Sequence, residues 1–203
     1  LQFIVDKTAP TFSDASPADT GFTNDPTPLI SVKVQDALSG LLGDETDITA
    51  FTVEGTDHLN DISTSYTGNV LTVSYQDDSN YANGTVVDVS ITAEDNLGNS
   101  ATLNWLFTVD TVNPTCSNGT PVDGGYTNDS APTVSLDITD ALSGVSDVED
   151  EAIVQMCVGV GGPVIPAASR EYAYVDPTGT VTYTPTTPFA SGAVITAAVV
   201  FRD

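Results

Sequence analysis

Apolar and polar residues alternate along much of this chain with a period of two. Ile30, Val32 and Val34 interleave with Ser31, Lys33 and Gln35. Val87, Val89, Ile91 and Ala93 interleave with Asp88, Ser90, Thr92 and Glu94, and Leu103, Trp105, Phe107 and Val109 with Asn104 and Thr108. Successive strand side chains point to opposite faces, so each run predicts a strand with one face buried and one wet. Shorter runs at 50–54 and 70–75 predict two more strands. Between them stand turn signals: the polar Pro/Gly/Asn stretch 16–26, Asp36-Ala37-Leu38-Ser39-Gly40, the acidic loop 77–84, and Asp95-Asn96-Leu97-Gly98-Asn99. No segment carries a helical period. About seven short strands with turns every 8–12 residues predict an all-β sandwich.

The pattern occurs twice. Val5-Asp6-Lys7-Thr8-Ala9-Pro10 returns as Val109-Asp110-Thr111-Val112-Asn113-Pro114, an offset of 104 (Asp6 to Asp110). Ser16-Pro17-Ala18-Asp19 maps onto Thr120-Pro121-Val122-Asp123, and Asp36–Gly40 returns letter for letter as Asp140–Gly144. Further on the offset is 108: Tyr75 matches Tyr183, Gly84 matches Gly192, and Asp95 matches Asp203. The chain therefore divides into a strand-like segment 1–7, a first domain 8–110 and a second domain 111–203.

The recurring VDxxxP joint, SPxD loop, TNDxxP, DxxSG and AEDNLGN motifs resemble the bacterial and archaeal immunoglobulin-like tandem repeats of secreted and cell-surface proteins. The resemblance covers nearly the whole chain and implies stalks, adhesins, surface layers or spacers, because such motifs specify fold better than function. The expected fold is two tandem immunoglobulin-like β-sandwiches, the second lacking its own final strand. Asp203 matches Asp95, so nothing in domain 2 corresponds to 100–110. Leu1-Gln2-Phe3-Ile4-Val5-Asp6, by contrast, matches the tail of that final strand.

Charge narrows the partners. The chain has 28 acidic residues against Lys7, Lys33, Arg170 and Arg202, for a net charge of −24. Such a surface repels phosphate backbones and anionic lipid, which excludes nucleic acid and membrane surfaces as partners. No apolar run reaches membrane-spanning length. The natural counter-ions are cations, and Asp-rich loops suit hard oxygen-ligand sites.

Sandwich topology places the ends of the second and sixth strands beside the entry of the first. That predicts one cluster of Asp6, Asp36 and Asp95 and a second of Asp110, Asp140 and Asp203, both suited to Ca2+ as tentative cofactor. Asp19, Asp25, Asp77 and Asp78 in the lower loops of domain 1 are expected to face the second cluster. In the alternative, Asp36 and Asp140 only cap turns through backbone N–H groups. Cys116 and Cys157, in the first and third strands of domain 2, are expected to form a disulfide in an oxidising compartment. That pairing departs from the antibody-type bridge. Asn83, Asn118 and Asn128 begin glycosylation sequons on expected loops or strand starts. The sole histidine, His58, lies in an expected solvated loop without a nucleophile motif, so no catalytic site is expected. Trp105 alternates with core positions and is expected to pack inside.

Together these residues predict an extracellular or cell-surface structural module: a stalk, coat or filament subunit. Its partners are neighbouring repeats or further copies of itself. A sandwich lacking an edge strand templates strand addition. Leu1, Phe3 and Val5 would supply the apolar side chains of a donor strand completing domain 2 of the next subunit. A window cut from a longer repeat array is the other expectation. The alternative function is an adhesive or carbohydrate-binding accessory domain.

Overall fold

The structure is a computed structural model that describes residues 1–145, 152–159, 161–175 and 177–201. The chain forms two compact units, Leu1–Thr111 and Val112–Asp203.

Unit 1 holds nine strands: β1 (Thr11–Ser16), β2 (Gly21–Thr23), β3 (Leu29–Gln35), β4 (Ile48–Val53), β5 (Thr56–Asp57), β6 (Ser63–Thr67), β7 (Val70–Gln76), β8 (Val86–Glu94) and β9 (Ser100–Val109). They form two sheets, β1-β3-β7-β6 and β2-β9-β8-β4-β5. This is the immunoglobulin-like sandwich, with four strands in the ABED order facing a sheet built on C, F and G. The alternation in sequence becomes burial. Ile30, Val32 and Val34 on β3 and Val87, Val89, Ile91 and Ala93 on β8 lie at 2% exposure or less, while Lys33 and Asp88 between them are exposed. Phe51, Trp105, Phe107 and Val109 complete the core.

Alternation did not locate β1, β2, β5 or β6, and β2 is the plainest case. The stretch 16–26, rich in turn residues, contains β2, which runs parallel to β9 with Phe22 opposite Thr108. Three residues carry too little periodicity to be seen. The strand exists because β9 offers its edge, not because Gly21-Phe22-Thr23 favours extension.

Unit 2 holds β10 (Thr115–Thr120), β11 (Val134–Thr139), β12 (Ile153–Gly159), β13 (Glu171–Val175), β14 (Thr178–Tyr183) and β15 (Thr196–Phe201). The sheet β10-β11-β14-β13 repeats β1-β3-β7-β6 of unit 1, and β12-β15 repeats β4-β8. Among the described residues no strand pairs the other edge of β15, where unit 1 has β9. The consequence is visible in burial. Val87, Val89, Ile91 and Ala93 are closed off from solvent, but their counterparts Ile195, Val199 and Phe201 are half-buried and Ala197 is exposed. All six residues of β10 are exposed too, whereas Phe12 on β1 packs partly into its core.

The disulfide expected between Cys116 and Cys157 is absent; both are free thiols. Cys116 sits on β10, in one sheet, at the position Phe12 occupies in unit 1. Cys157 lies on β12, in the other sheet, between the buried Met156 and Val158. Alternation therefore turns its side chain away from the core, where Sγ accepts a hydrogen bond from Gln155 Nε2 at 3.2 Å. A thiol on the outer face of one sheet does not meet a residue of the facing sheet.

Removing a fully buried aromatic from unit 1 tests the packing. Phe107→Ala is expected to lower unfolding free energy by about 3–5 kcal/mol in urea titrations followed by Trp105 fluorescence. A loss under about 1 kcal/mol would mean that Phe107 is not held in the core.

Candidate functional site: a buried aspartate cluster

Three aspartates converge at one end of unit 1. Asp6 precedes β1, Asp36 follows β3 and Asp95 follows β8, and one carboxylate oxygen from each lies within 4.8 Å of the others. All three are buried, at 8%, 7% and 6% exposure. The enclosure is local, made by the loops that wrap the cluster rather than by depth in the core.

Each carboxylate organises the loop it stands in. Asp6 Oδ1 accepts the Thr8 N–H at 2.9 Å and the Thr8 hydroxyl, and its Oδ2 accepts the Ser39 N–H at 2.8 Å. Asp36 Oδ1 accepts the N–H groups of Leu38 (3.1 Å) and Gly40 (2.7 Å), holding Asp36–Gly40 in a tight turn. Gly40 sits at φ +74°, a conformation glycine adopts without Cβ strain. Asp95 Oδ1 accepts Leu97 and Asn99 N–H groups, both at 2.8 Å, and its Oδ2 accepts Asn99 Nδ2 at 2.7 Å. The Asn96 N–H donates to the Gly40 carbonyl and Asn96 Nδ2 to that of Ser39, which stitches the two turns together.

Hydrogen bonds set the charge state. The hydroxyl and N–H of Thr8, then the groups of Ser39, hold the Asp6 carboxyl well below the usual carboxylate range against the opposing effect of burial. For Asp95, burial pushes the pKa up but is outweighed. The side chain and backbone of Asn99, the backbone of Leu97 and the Ser39 side chain leave it below its ordinary value. Anions favoured in this way lie side by side. An ionised carboxylate has about four lone-pair sites, so N–H donors leave each of the three with acceptor capacity; Asp36 Oδ2 accepts no bond from the described residues.

One polar atom is left over. Ser39 Oγ is buried beside Asp6 and Asp95, close enough to favour both anions but outside good hydrogen-bond geometry with either. An orphaned hydroxyl oxygen beside three carboxylates gives an all-oxygen donor set, which suits a hard cation and not a soft one.

The second expected cluster is partly described. Asp110, at 2% exposure, lies in unit 1, where its N–H donates to the Thr23 carbonyl at 2.8 Å. Asp140, at 3% exposure, lies in unit 2 and repeats the turn of Asp36: its Oδ1 accepts N–H groups from Leu142 (2.9 Å), Ser143 (3.0 Å) and Gly144 (3.2 Å). Asp203 lies outside the described residues. Of the lower-loop acids, Asp25 makes a local bond, Asp19 reaches β9 to accept the Leu106 N–H at 3.2 Å, and Asp77 is buried, accepting the Ser79 N–H and the Tyr81 hydroxyl.

The other singled-out residues fall as follows. Leu1, Phe3 and Val5 belong to an irregular extended segment and are exposed at 121%, 76% and 63%. Asn83, Asn118 and Asn128 are all exposed. The Oδ1 of Asn83 accepts the Thr111 N–H at 2.7 Å, and the Nδ2 of Asn118 donates to Asp137 at 2.7 Å. Trp105 is buried at 4% with its indole Nε1 unpartnered. His58 departs from its expectation as a solvated residue. Its ring packs on Tyr75, centroids 4.6 Å apart, and its Nδ1 lies 3.1 Å from Asp61 Oδ2. One buried carboxylate that sequence reasoning missed is Asp47, at 2% exposure, which accepts the N–H groups of Leu42, Gly43 and Asp44. Its signal was faint: one more Asp in a Gly/Asp-rich loop.

The depressed carboxyls make stability pH-dependent. Both folded values lie below that of an exposed aspartate, about 3.9. The stability they contribute is thus fully present above that value and lost as pH falls through the folded ones. Thermal melts of the chain are expected to be flat from pH 7 to 5 and to fall below pH 4. The Asp6→Asn variant is expected to show a shallower fall. An identical pH profile in the variant would remove Asp6 from the account.

No family model matches this chain, and no curated protein matches it in sequence. Solved structures give weak likenesses. One is dimeric latent PorU from Porphyromonas gingivalis: 14% identity, TM-score 0.39, 96% of this chain and 17% of that one. Another is the titin Ig tandem domains A164-A165: 11% identity, TM-score 0.30, 95% of each. A third is the C-terminal domain of the AgI/II polypeptide BspA from Streptococcus agalactiae: 9% identity, TM-score 0.27, 81% of this chain and 78% of that one. The chain thus spans about a sixth of PorU's length. The assignment of each unit as an immunoglobulin-like sandwich rests on its own sheet order.

Proposed function

We propose that this chain is an extracellular structural module of tandem immunoglobulin-like units, a stalk, coat or filament subunit that assembles by strand exchange. One observation carries the reading: among the described residues no strand pairs the outer edge of β15, and the core face behind it is half-covered. A strand with alternating apolar residues fits that edge as β9 fits β8, antiparallel, with Phe107 opposite Val87 and Trp105 opposite Val89. Leu1–Asp6 aligns with Trp105–Asp110 and its first five residues are exposed, so Phe3 of a second copy would fall opposite Ile195 and Leu1 opposite Ala197. Such a head-to-tail contact is heterologous and generates an open filament. Supporting it are the exposed apolar side chains of Leu1, Phe3, Ile4 and Val5, which no described residue covers.

Removal of residues 1–6 tests this. The full chain is expected to elute from a sizing column as concentration-dependent oligomers and the truncated chain as a monomer. A synthetic Leu1–Asp6 peptide is expected to bind the truncated chain and cap it. Monomers in both cases overturn strand exchange.

Calcium belongs to the same reading. Asp6, Asp36 and Asp95 with Ser39 Oγ would hold the ion, with water completing the six to eight oxygens it takes. It would neutralise adjacent carboxylates and pin Asp6, the residue where the exposed segment meets the sandwich. Saturating Ca2+ is expected to raise the melting temperature by about 4 °C or more over chelator-treated protein, and Asp36→Asn is expected to abolish that shift. Superimposable melts with and without chelator overturn the metal.

A further inference from the structure

The face of the β2-β9-β8-β4-β5 sheet that points away from the core carries a separate feature. Leu106 on β9 stands opposite Asp88 on β8, and the next row joins Asn104, Ser90 and Thr52 across three strands. Between these rows lies a trough of about 290 Å3, near the small end of ligand pockets. Val89 and Trp105 send their side chains into the core and meet the trough with backbone.

Its polar side chains have unused capacity. Among the described residues, the side chains of Thr52, Asp88, Ser90 and Asn104 take part in no hydrogen bond or ion pair. One row along the same sheet the contrast is plain, since the hydroxyls of Thr92 and Thr102 satisfy one another at 2.8 Å. Beside the trough is an apolar strip. Phe22 and Val86 flank Thr108 on the outer face, at 47% and 48% exposure, and Leu106 at 36% joins them to the polar rows.

An apolar strip beside convergent hydroxyl, amide and carboxylate groups matches one ligand chemistry. A sugar ring offers a C–H face to Phe22 and Leu106. Its rim of hydroxyls donates to Asp88 and exchanges bonds with Asn104, Ser90 and Thr52. The two carboxylates at the trough, Asp19 and Asp88, and the net charge of −24 reject uronic or sulfated sugars. We propose that this trough on unit 1 is a binding site for a neutral carbohydrate chain. The site is independent of strand exchange, which concerns unit 2, so either reading can fail alone.

Titration of the 15N-labelled full chain with millimolar cellopentaose, maltopentaose and mannopentaose tests it by NMR. At least one is expected to give saturable amide shifts confined to residues 52–55, 88–90 and 104–106. Asp88→Asn and Phe22→Ala, both at exposed positions, are expected to weaken that binding about tenfold or more. A heparin-derived pentasaccharide is expected to leave the spectrum unchanged. No saturable shift with any of the three neutral probes, shifts centred elsewhere, or undiminished binding in Asp88→Asn overturns the proposal.

Discussion

The pairing of β8 with β9 is the interaction on which unit 1 depends. Nine cross-strand pairs, from Glu94↔Ser100 to Val86↔Thr108, join the two strands along their length. That pairing satisfies the backbone groups on one side of β8, as β4 does on the other, and places Trp105, Phe107 and Val109 over the core. It also creates the edge on which β2 forms. A buried apolar face must be covered and a buried edge must be paired, because unmade backbone bonds and wetted hydrocarbon both cost free energy. Unit 2 shows the same constraint from the other side. With β15 unpaired at its outer edge among the described residues, core positions become half-exposed and β10 is left uncovered.

The buried aspartates answer a related constraint at the strand ends. Where β3 and β8 leave the sheets, their turns present N–H groups that no strand can accept from. Asp36 and Asp95 take them up in short side-chain bonds, as Asp47 does for its own loop. This accounts for the choice of Asp over Glu: its carboxylate, one methylene from the backbone, reaches N–H groups two to four residues on. Capping leaves room for the proposed cation. Backbone N–H groups occupy some lone pairs and fix the carboxylates in place, while Asp36 Oδ2 accepts no bond from the described residues. Preorganised oxygens of that kind lose little entropy on meeting an ion.

The proposed binding role falls on the face of the sheet that packing does not use. The inner face of β8 and β9 is apolar because it is core. The outer face is free of that demand and carries Ser, Thr, Asn and Asp at the alternate positions. A module that serves as a spacer leaves such a face open to solvent along its length, available to a ligand without disturbing the packing behind it.

The sequence by itself determined a great deal. Period-two alternation located β3, β4, β7, β8 and β9, because burial on one face is a local property written into every second residue. The repeated joint and the shared DALSG turn set two units and brought Asp6, Asp36 and Asp95 into one expected cluster, since sandwich topology fixes which strand ends are neighbours. Only the tertiary structure decided the rest. The strand β2 exists through its partner and not its own three residues. Cys116 and Cys157, an even pair that invites a bridge, are parted by which sheet and which face each occupies. His58 leaves its expected solvated state because Tyr75, far away in sequence, offers a ring to pack on. The trough between Asp88 and Asn104 depends on the register of β8, β9 and β4. Alternation fixes which way a side chain points; only pairing across strands fixes what it points beside.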